Sequence, residues 1–324
     1  MRLATLKSDK PDGTLVIVST DNSHYVSAES IAPNLLTAIE EWATLESQLR
    51  RLADGLNAGD LNDAKSFDSS HASAPLPRSW QWLDGSAFPQ HGHLMQQAYN
   101  LPPLDAGQPL MYQGLSDRFY GPSDAVPFAS ETDGIDFEGE FGVIVDAVPM
   151  GISAKNAMNH IKLIVQINDW SLRNFGPTEM KTGFGFVQAK PPCSMAGVAL
   201  TPDELGEAWQ DGRVHLPLRV DWNNKRFGEA QGHEMEYGFH EIIAHAAKTR
   251  DLVAGTIIGS GTVSNKNYTD VGSSCISERR AIDMIEFGEI RTPFMSFGDR
   301  VRMEARSQTD APLFGAIDQQ VKQN

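Results

Sequence analysis

The sequence predicts a β-rich α+β protein, a roll or barrel preceded by a small α+β appendage. Three observations point there. From about Trp80 onward the chain carries many short, unevenly spaced β-type segments broken by Gly and Pro. Long amphipathic helices are few, and no regular alternation of strand and helix supports a doubly wound parallel sheet. The front of the chain differs, with a hairpin pattern followed by one long helical pattern.

In chain order, Leu15 to Thr20 and the residues after Asp21-Asn22 read as a short hairpin. Pro33 then opens an amphipathic helix running to about Leu56, with apolar positions at Leu36, Ala38, Ile39, Trp42, Leu45, Leu49 and Leu52. Ser66 to Pro77 is rich in Ser, Ala and Pro and reads as a linker. This divides the chain into a small N-terminal part, residues 1–77, and a main domain, residues 78–324. Within the latter, Ser153 caps a short helix to His160, and Ile161 to Ile167 form an apolar strand. Glu236 to Lys248 reads as helix, and Gly255 to Val263 as a buried strand interrupted by glycine. No internal repeat stands out.

Composition excludes several classes. A chain of 324 residues with formal charge −15 lacks the basic face of a non-specific nucleic-acid binder and is not drawn to anionic membranes. The N-terminal Met1 to Asp9 has no apolar signal core, and no apolar run reaches membrane-spanning length. Cys193 and Cys275 are the only cysteines and read as reduced, buried small hydrophobes. A soluble cytoplasmic protein is expected.

The chemistry begins at Glu138-Gly139-Glu140, where strand alternation puts two carboxylates on one face of a segment that continues into an apolar run. Such a pair taken alone is more often a solvated strand edge. Buried, it needs positive charge, and a hard divalent cation with oxygen ligands supplies it. Asp169 follows at the end of an apolar strand, either as a turn residue or as a third oxygen ligand. Asp84 adds a fourth carboxylate, upstream of His91 and His93 in a loop-like context.

Other motifs fail. His240 and His245 are five apart, which places them on different helix faces, unlike a zinc-protease helix. Gly183-Phe184-Gly185-Phe186 lacks the third glycine of a dinucleotide turn. Neither a phosphate-cradling loop nor a G-x-S-x-G elbow is present.

Taken in order, the motifs resemble the fumarylacetoacetate hydrolase family. They are Asp84 with His91 seven residues later, Tyr112-Gln113-Gly114, Gly121-Pro122, Ile135-Asp136-Phe137-Glu138-Gly139-Glu140, Asn168-Asp169-Trp170-Ser171-Leu172-Arg173, Lys190-Pro191, and Gly259-Ser260-Gly261-Thr262. The resemblance extends from about Trp80 to Glu304. It implies a mixed β-sandwich roll that dimerises and binds Mg, Mn or Ca. It also implies Glu138, Glu140, Asp169 and Asp84 as metal ligands, and His91 as the base that activates water. Lys190 and Arg173 would be the cations at the substrate, Tyr112 and Thr262 its further contacts, and Glu278 the acid that orients His91. The implied substrate is a small 1,3-dicarbonyl or 2-oxo acid, cleaved by hydrolysis in aromatic-compound catabolism. Decarboxylation, isomerisation or hydration on the same machinery, or a non-catalytic metal-binding role, are the alternatives. Two departures bear on the substrate. Gly176 stands where fumarylacetoacetase has a glutamine, and Thr178 to Lys181 lack its substrate-binding tyrosine.

Overall fold

A computed structural model describes residues 1–102 and 107–324. The expected mixed β-sandwich roll is present, and it is not a closed barrel. The larger sheet runs in the order Lys65–Ser66, His24–Ser27, Thr14–Val18, Arg2–Leu6, Val198–Leu200, Ile161–Asn168, Gly139–Val145, Ile257–Gly259, Trp82–Gly85 and Met111–Gly114. The N-terminal hairpin strands are thus continuous with the strands of the main domain: Arg2 pairs with Leu200 and Ala4 with Val198. The smaller sheet runs Lys225–Gln231, Pro217–Trp222, Arg300–Ala305, Ile317–Gln323 and Val126–Phe128. Pairing is antiparallel except where Ile257–Gly259 joins Trp82–Gly85 and Ile317–Gln323 joins Val126–Phe128.

Strand alternation explains how one sheet serves two cores. Phe141, Val143 and Ile164 face the smaller sheet and pack with Leu218, Val220 and Met303. Ile144, Leu163 and Val165 face the other way, onto Leu35, Ile39, Leu45 and Leu49 of the N-terminal helices. One polar clamp joins the sheets: the buried Gln166 donates from Nε2 to Met303 O (3.0 Å) and accepts from Ala305 N–H (2.7 Å).

Three local expectations change. The single helix from Pro33 to Leu56 is two helices, Leu35–Glu40 and Trp42–Ala58, because Glu41 leaves helical geometry at φ −109°, ψ 22°. The stretch 66–77 is not a solvated linker. Phe67, Ala72, Ala74 and Leu76 are buried, and Thr5 Oγ1 donates to Pro75 O (2.7 Å). Small residues that read as loop composition are here packed against the first strand. The strand Gly255 to Val263 shortens to Ile257–Gly259, since positive φ at Gly255 and Gly261 turns the chain out of the sheet at either side.

Candidate functional site

The site lies where strand ends of the larger sheet meet two helices. Asp84 ends the strand Trp82–Gly85, paired with Gly259 on one side and Tyr112 on the other. Glu140 lies in the strand Gly139–Val145, on the far side of Ile257–Gly259 from Asp84 and opposite Ile167. Asp169 follows Ile161–Asn168, and its N–H donates to Glu138 O (2.9 Å). Three strands of the larger sheet therefore carry three carboxylates from distant parts of the chain to one point. Asp84, Glu140 and Asp169 are all buried, with ligand atoms within 4.8 Å of one another. Gly259 makes the room: a Cβ there would stand 2.2 Å from Asp84 Oδ1. That oxygen also accepts the Gly261 N–H (3.1 Å).

Electrostatics mark the cluster as incomplete. Both Glu140 carboxylate oxygens are buried without a hydrogen-bond partner. Burial, followed by the charges of Asp84 and Asp169, pushes the Glu140 carboxyl well above its ordinary range. Burial and Asp169 do the same to Asp84. Asp169 is raised by burial although Lys190 pulls against it. Three buried carboxylates, one with both oxygens unanswered, are an oxygen donor set that fits a hard divalent cation.

Glu138 borders that cluster, joined to Asp169 through Lys190. Strand alternation would place it beside Glu140, but its oxygens are taken by Arg173 Nη2 (2.5 Å) and Lys190 Nζ (2.6 Å). Burial alone would raise its carboxyl, yet Lys190 and Arg173 together hold it below the usual range. Lys190 Nζ also donates to Asp169 Oδ2 (2.5 Å) and lies 5.2 Å from the Tyr112 ring centre. Tyr112 donates its hydroxyl to the same Asp169 oxygen. Lys190 reaches the site because Glu179 gathers the preceding strap, accepting the N–H groups of Val187, Gln188 and Ala189 (3.1, 2.8 and 3.0 Å). Thr262 is buried directly after Gly261.

His91 is on a helix, not in a loop. Pro89 occupies the first turn of Pro89–Tyr99, where its fixed φ and missing N–H cost nothing. This helix packs on Ile276–Phe287, which carries the fully buried Glu278. His91 Nδ1 lies 2.9 Å from Glu278 Oε2.

Two residues without an assigned role in the sequence reading are part of the arrangement. Asp136, fully buried, accepts Arg173 Nε (2.7 Å) on one oxygen and the first N–H groups of the Glu278 helix, Ile276 (2.7 Å) and Ser277 (2.8 Å). One carboxylate thus ties the guanidinium to the helix behind His91. The available signal was its i, i+2 spacing from Glu138. Cys193 was expected to be an inert filler, but its thiol donates to Asp169 Oδ1 (2.9 Å). Burial keeps that thiol protonated, well above its ordinary range.

Fold and site together define a mixed β-sandwich enzyme with a buried acidic cluster beside a His–carboxylate pair. The chain belongs to the fumarylacetoacetate hydrolase family: the model of the fumarylacetoacetate (FAA) hydrolase C-terminal region matches residues 81–322. That of fumarylacetoacetase N-terminal domain 2 matches residues 1–78. The oxaloacetate tautomerase YisK of Bacillus subtilis (strain 168) is 24% identical over 249 residues, covering 74% of this chain and 79% of the relative. Fumarylacetoacetate hydrolase from Exiguobacterium antarcticum superposes with a TM-score of 0.70 at 16% identity, covering 100% of both chains. Maleylpyruvate hydrolase from Sphingobium sp. SYK-6, solved with manganese(II) and pyruvate, gives 0.66 at 15% identity, also with 100% coverage of both. These structural likenesses show the fold. Among the described residues no helix is long and apolar enough to cross a membrane.

Proposed function

We propose that this chain is a divalent-metal-dependent hydrolase that cleaves a C–C bond in a small 1,3-dicarbonyl acid of the fumarylacetoacetate or acylpyruvate type, in aromatic-compound catabolism. The observation that carries the reading is the His91–Glu278 pair at 2.9 Å beside the buried carboxylates. The chemistry is assigned to residues 78–324, acting in a homodimer, with residues 1–77 as the smaller N-terminal unit.

Asp84, Glu138, Glu140 and Asp169 would hold the ion (Mg, Mn or Ca), with the Glu138 oxygens also engaging Arg173 and Lys190. When bound, the ion supplies positive charge that polarises two neighbouring substrate oxygens. The manganese in the maleylpyruvate hydrolase neighbour supports such an ion. Glu278 accepts the Nδ1 proton of His91, leaving Nε2 free as the base. His91 takes a proton from water, and the hydroxide adds to the substrate carbonyl. The C–C bond then breaks, its electron pair leaves on the departing carbon as an enolate, and His91 returns the proton there. Lys190 and Arg173 offset the negative charge as it develops. Tyr112 and Thr262 orient the substrate.

A second reading has specific support, because the Bacillus subtilis relative is named an oxaloacetate tautomerase. The same base would then move a proton between carbon and oxygen with no water added and no bond cleaved. One assay separates the two. The purified protein with Mn²⁺ or Mg²⁺ is given acylpyruvates, fumarylacetoacetate and oxaloacetate in ¹⁸O-water. Hydrolysis yields two products, one of them labelled in its new carboxylate. Keto–enol interconversion of oxaloacetate with no cleavage of any dicarbonyl acid would replace the first reading by the second.

A further inference from the structure

Asp169 differs from the other two carboxylates of the cluster in how it is held. Its Oδ2 takes the Tyr112 hydroxyl and the Lys190 ammonium, so much of the charge on that oxygen is already answered. Its Oδ1 takes a single weak donor, the Cys193 thiol at 2.9 Å. Glu140, in the same cluster, has both oxygens buried and unpartnered, so the cavity they share still lacks a charge partner. Cys193 is itself 1% exposed and reaches the site from the segment between Lys190 and the strand Ser194–Met195. That strand pairs with Ile167 and Asn168, immediately before Asp169, so thiol and carboxylate are fixed on adjoining backbone.

We propose that Cys193 is a positioning residue for the metal site, orienting Asp169 so that Oδ1 is the oxygen presented to the ion. The inference rests on the metal-site reading above. A thiol suits the task because it is a weak donor. It fixes the carboxylate plane yet withdraws little charge from the oxygen it touches, whereas an ammonium at that position would neutralise it. Partners of ligating groups govern affinity through this kind of orientation. The thiol donates its proton to Asp169 and is not itself a ligand. The sulfur falls outside the set of ligand atoms that lie within 4.8 Å of one another.

The test measures metal binding without turnover. Mn²⁺ affinity is followed by electron paramagnetic resonance in the full chain, for the wild type, Cys193→Ser and Cys193→Ala, with apo melting temperatures to show that each is folded. Serine keeps a donor and should bind Mn²⁺ nearly as the wild type does. Alanine removes the donor and should weaken Mn²⁺ about tenfold or more. Wild-type affinity in a folded Cys193→Ala overturns the inference. So does equal weakening in both variants, since that reports packing rather than the hydrogen bond. A thiolate-to-cobalt charge-transfer band in the Co²⁺-loaded wild type would also overturn it, by making Cys193 a ligand. Failure of the wild type itself to bind Mn²⁺ is a different result, because it removes the metal-site reading on which the inference stands.

Discussion

Replacing Glu140 by glutamine should stabilise the metal-free protein and abolish its response to metal. Glu140 is fully buried, both its oxygens lack partners, and Asp84 and Asp169 crowd it. Its folded-state carboxyl is raised above the unfolded value, first by burial and then by those two charges. The folded state therefore binds the proton more tightly than the unfolded state does. Below the unfolded pKa the group costs nothing. As pH rises past that value the metal-free wild type loses stability, until the folded-state carboxyl also ionises. Glutamine is the uncharged shape mimic and escapes this loss. Relief of one buried, unsatisfied charged group is worth about 1–3 kcal/mol. For a protein of 324 residues that corresponds to a rise in melting temperature of about 1–5 °C. Scanning calorimetry of both proteins from pH 5 to pH 8, with and without Mn²⁺, reads the effect. The apo difference should widen with pH. At a Mn²⁺ concentration of 100 times Kd the wild type should gain about 2.7 kcal/mol and the variant nothing. A Glu140→Gln protein that is less stable than the apo wild type, or that Mn²⁺ still stabilises, would refute the reasoning.

Two further outcomes follow from the same geometry. Gly259→Ala sets a methyl group 2.2 Å from Asp84 Oδ1 and 2.3 Å from the Trp82 ring, so either carboxylate or ring must move. We expect a loss of about 1–3 kcal/mol in denaturant unfolding together with weaker Mn²⁺ binding, and unchanged values for both would show that the crowding is not real. Glu278→Gln removes the carboxylate that holds His91, and kcat should fall about 10²–10⁴-fold with Mn²⁺ affinity preserved; steady-state kinetics beside metal titration checks this, and a wild-type kcat would remove Glu278 as the group that orients His91.

The sequence by itself determined the class. The β-rich roll, the order of the motifs and the residue types that could carry metal and acid–base chemistry were all legible. Alternation of apolar residues and the positions of Gly, Pro and carboxylates are local properties, and the ordered motifs added the family. Only the tertiary structure decided partnership. Glu138 and Glu140 read as twins because i and i+2 share a strand face. Their surroundings come from residues far away in sequence, and these split the pair: Arg173 and Lys190 close on Glu138, while Asp84 and Asp169 crowd Glu140. The stretch 66–77 was misread for the same reason, since Ser, Ala and Pro say nothing of whether another strand will bury them. Asp136 and Cys193 show it most clearly. Their roles are hydrogen bonds to Arg173, to a helix start and to Asp169. Spacing along a chain cannot specify a hydrogen bond, because its energy depends on the distance and angle at which two remote segments finally meet.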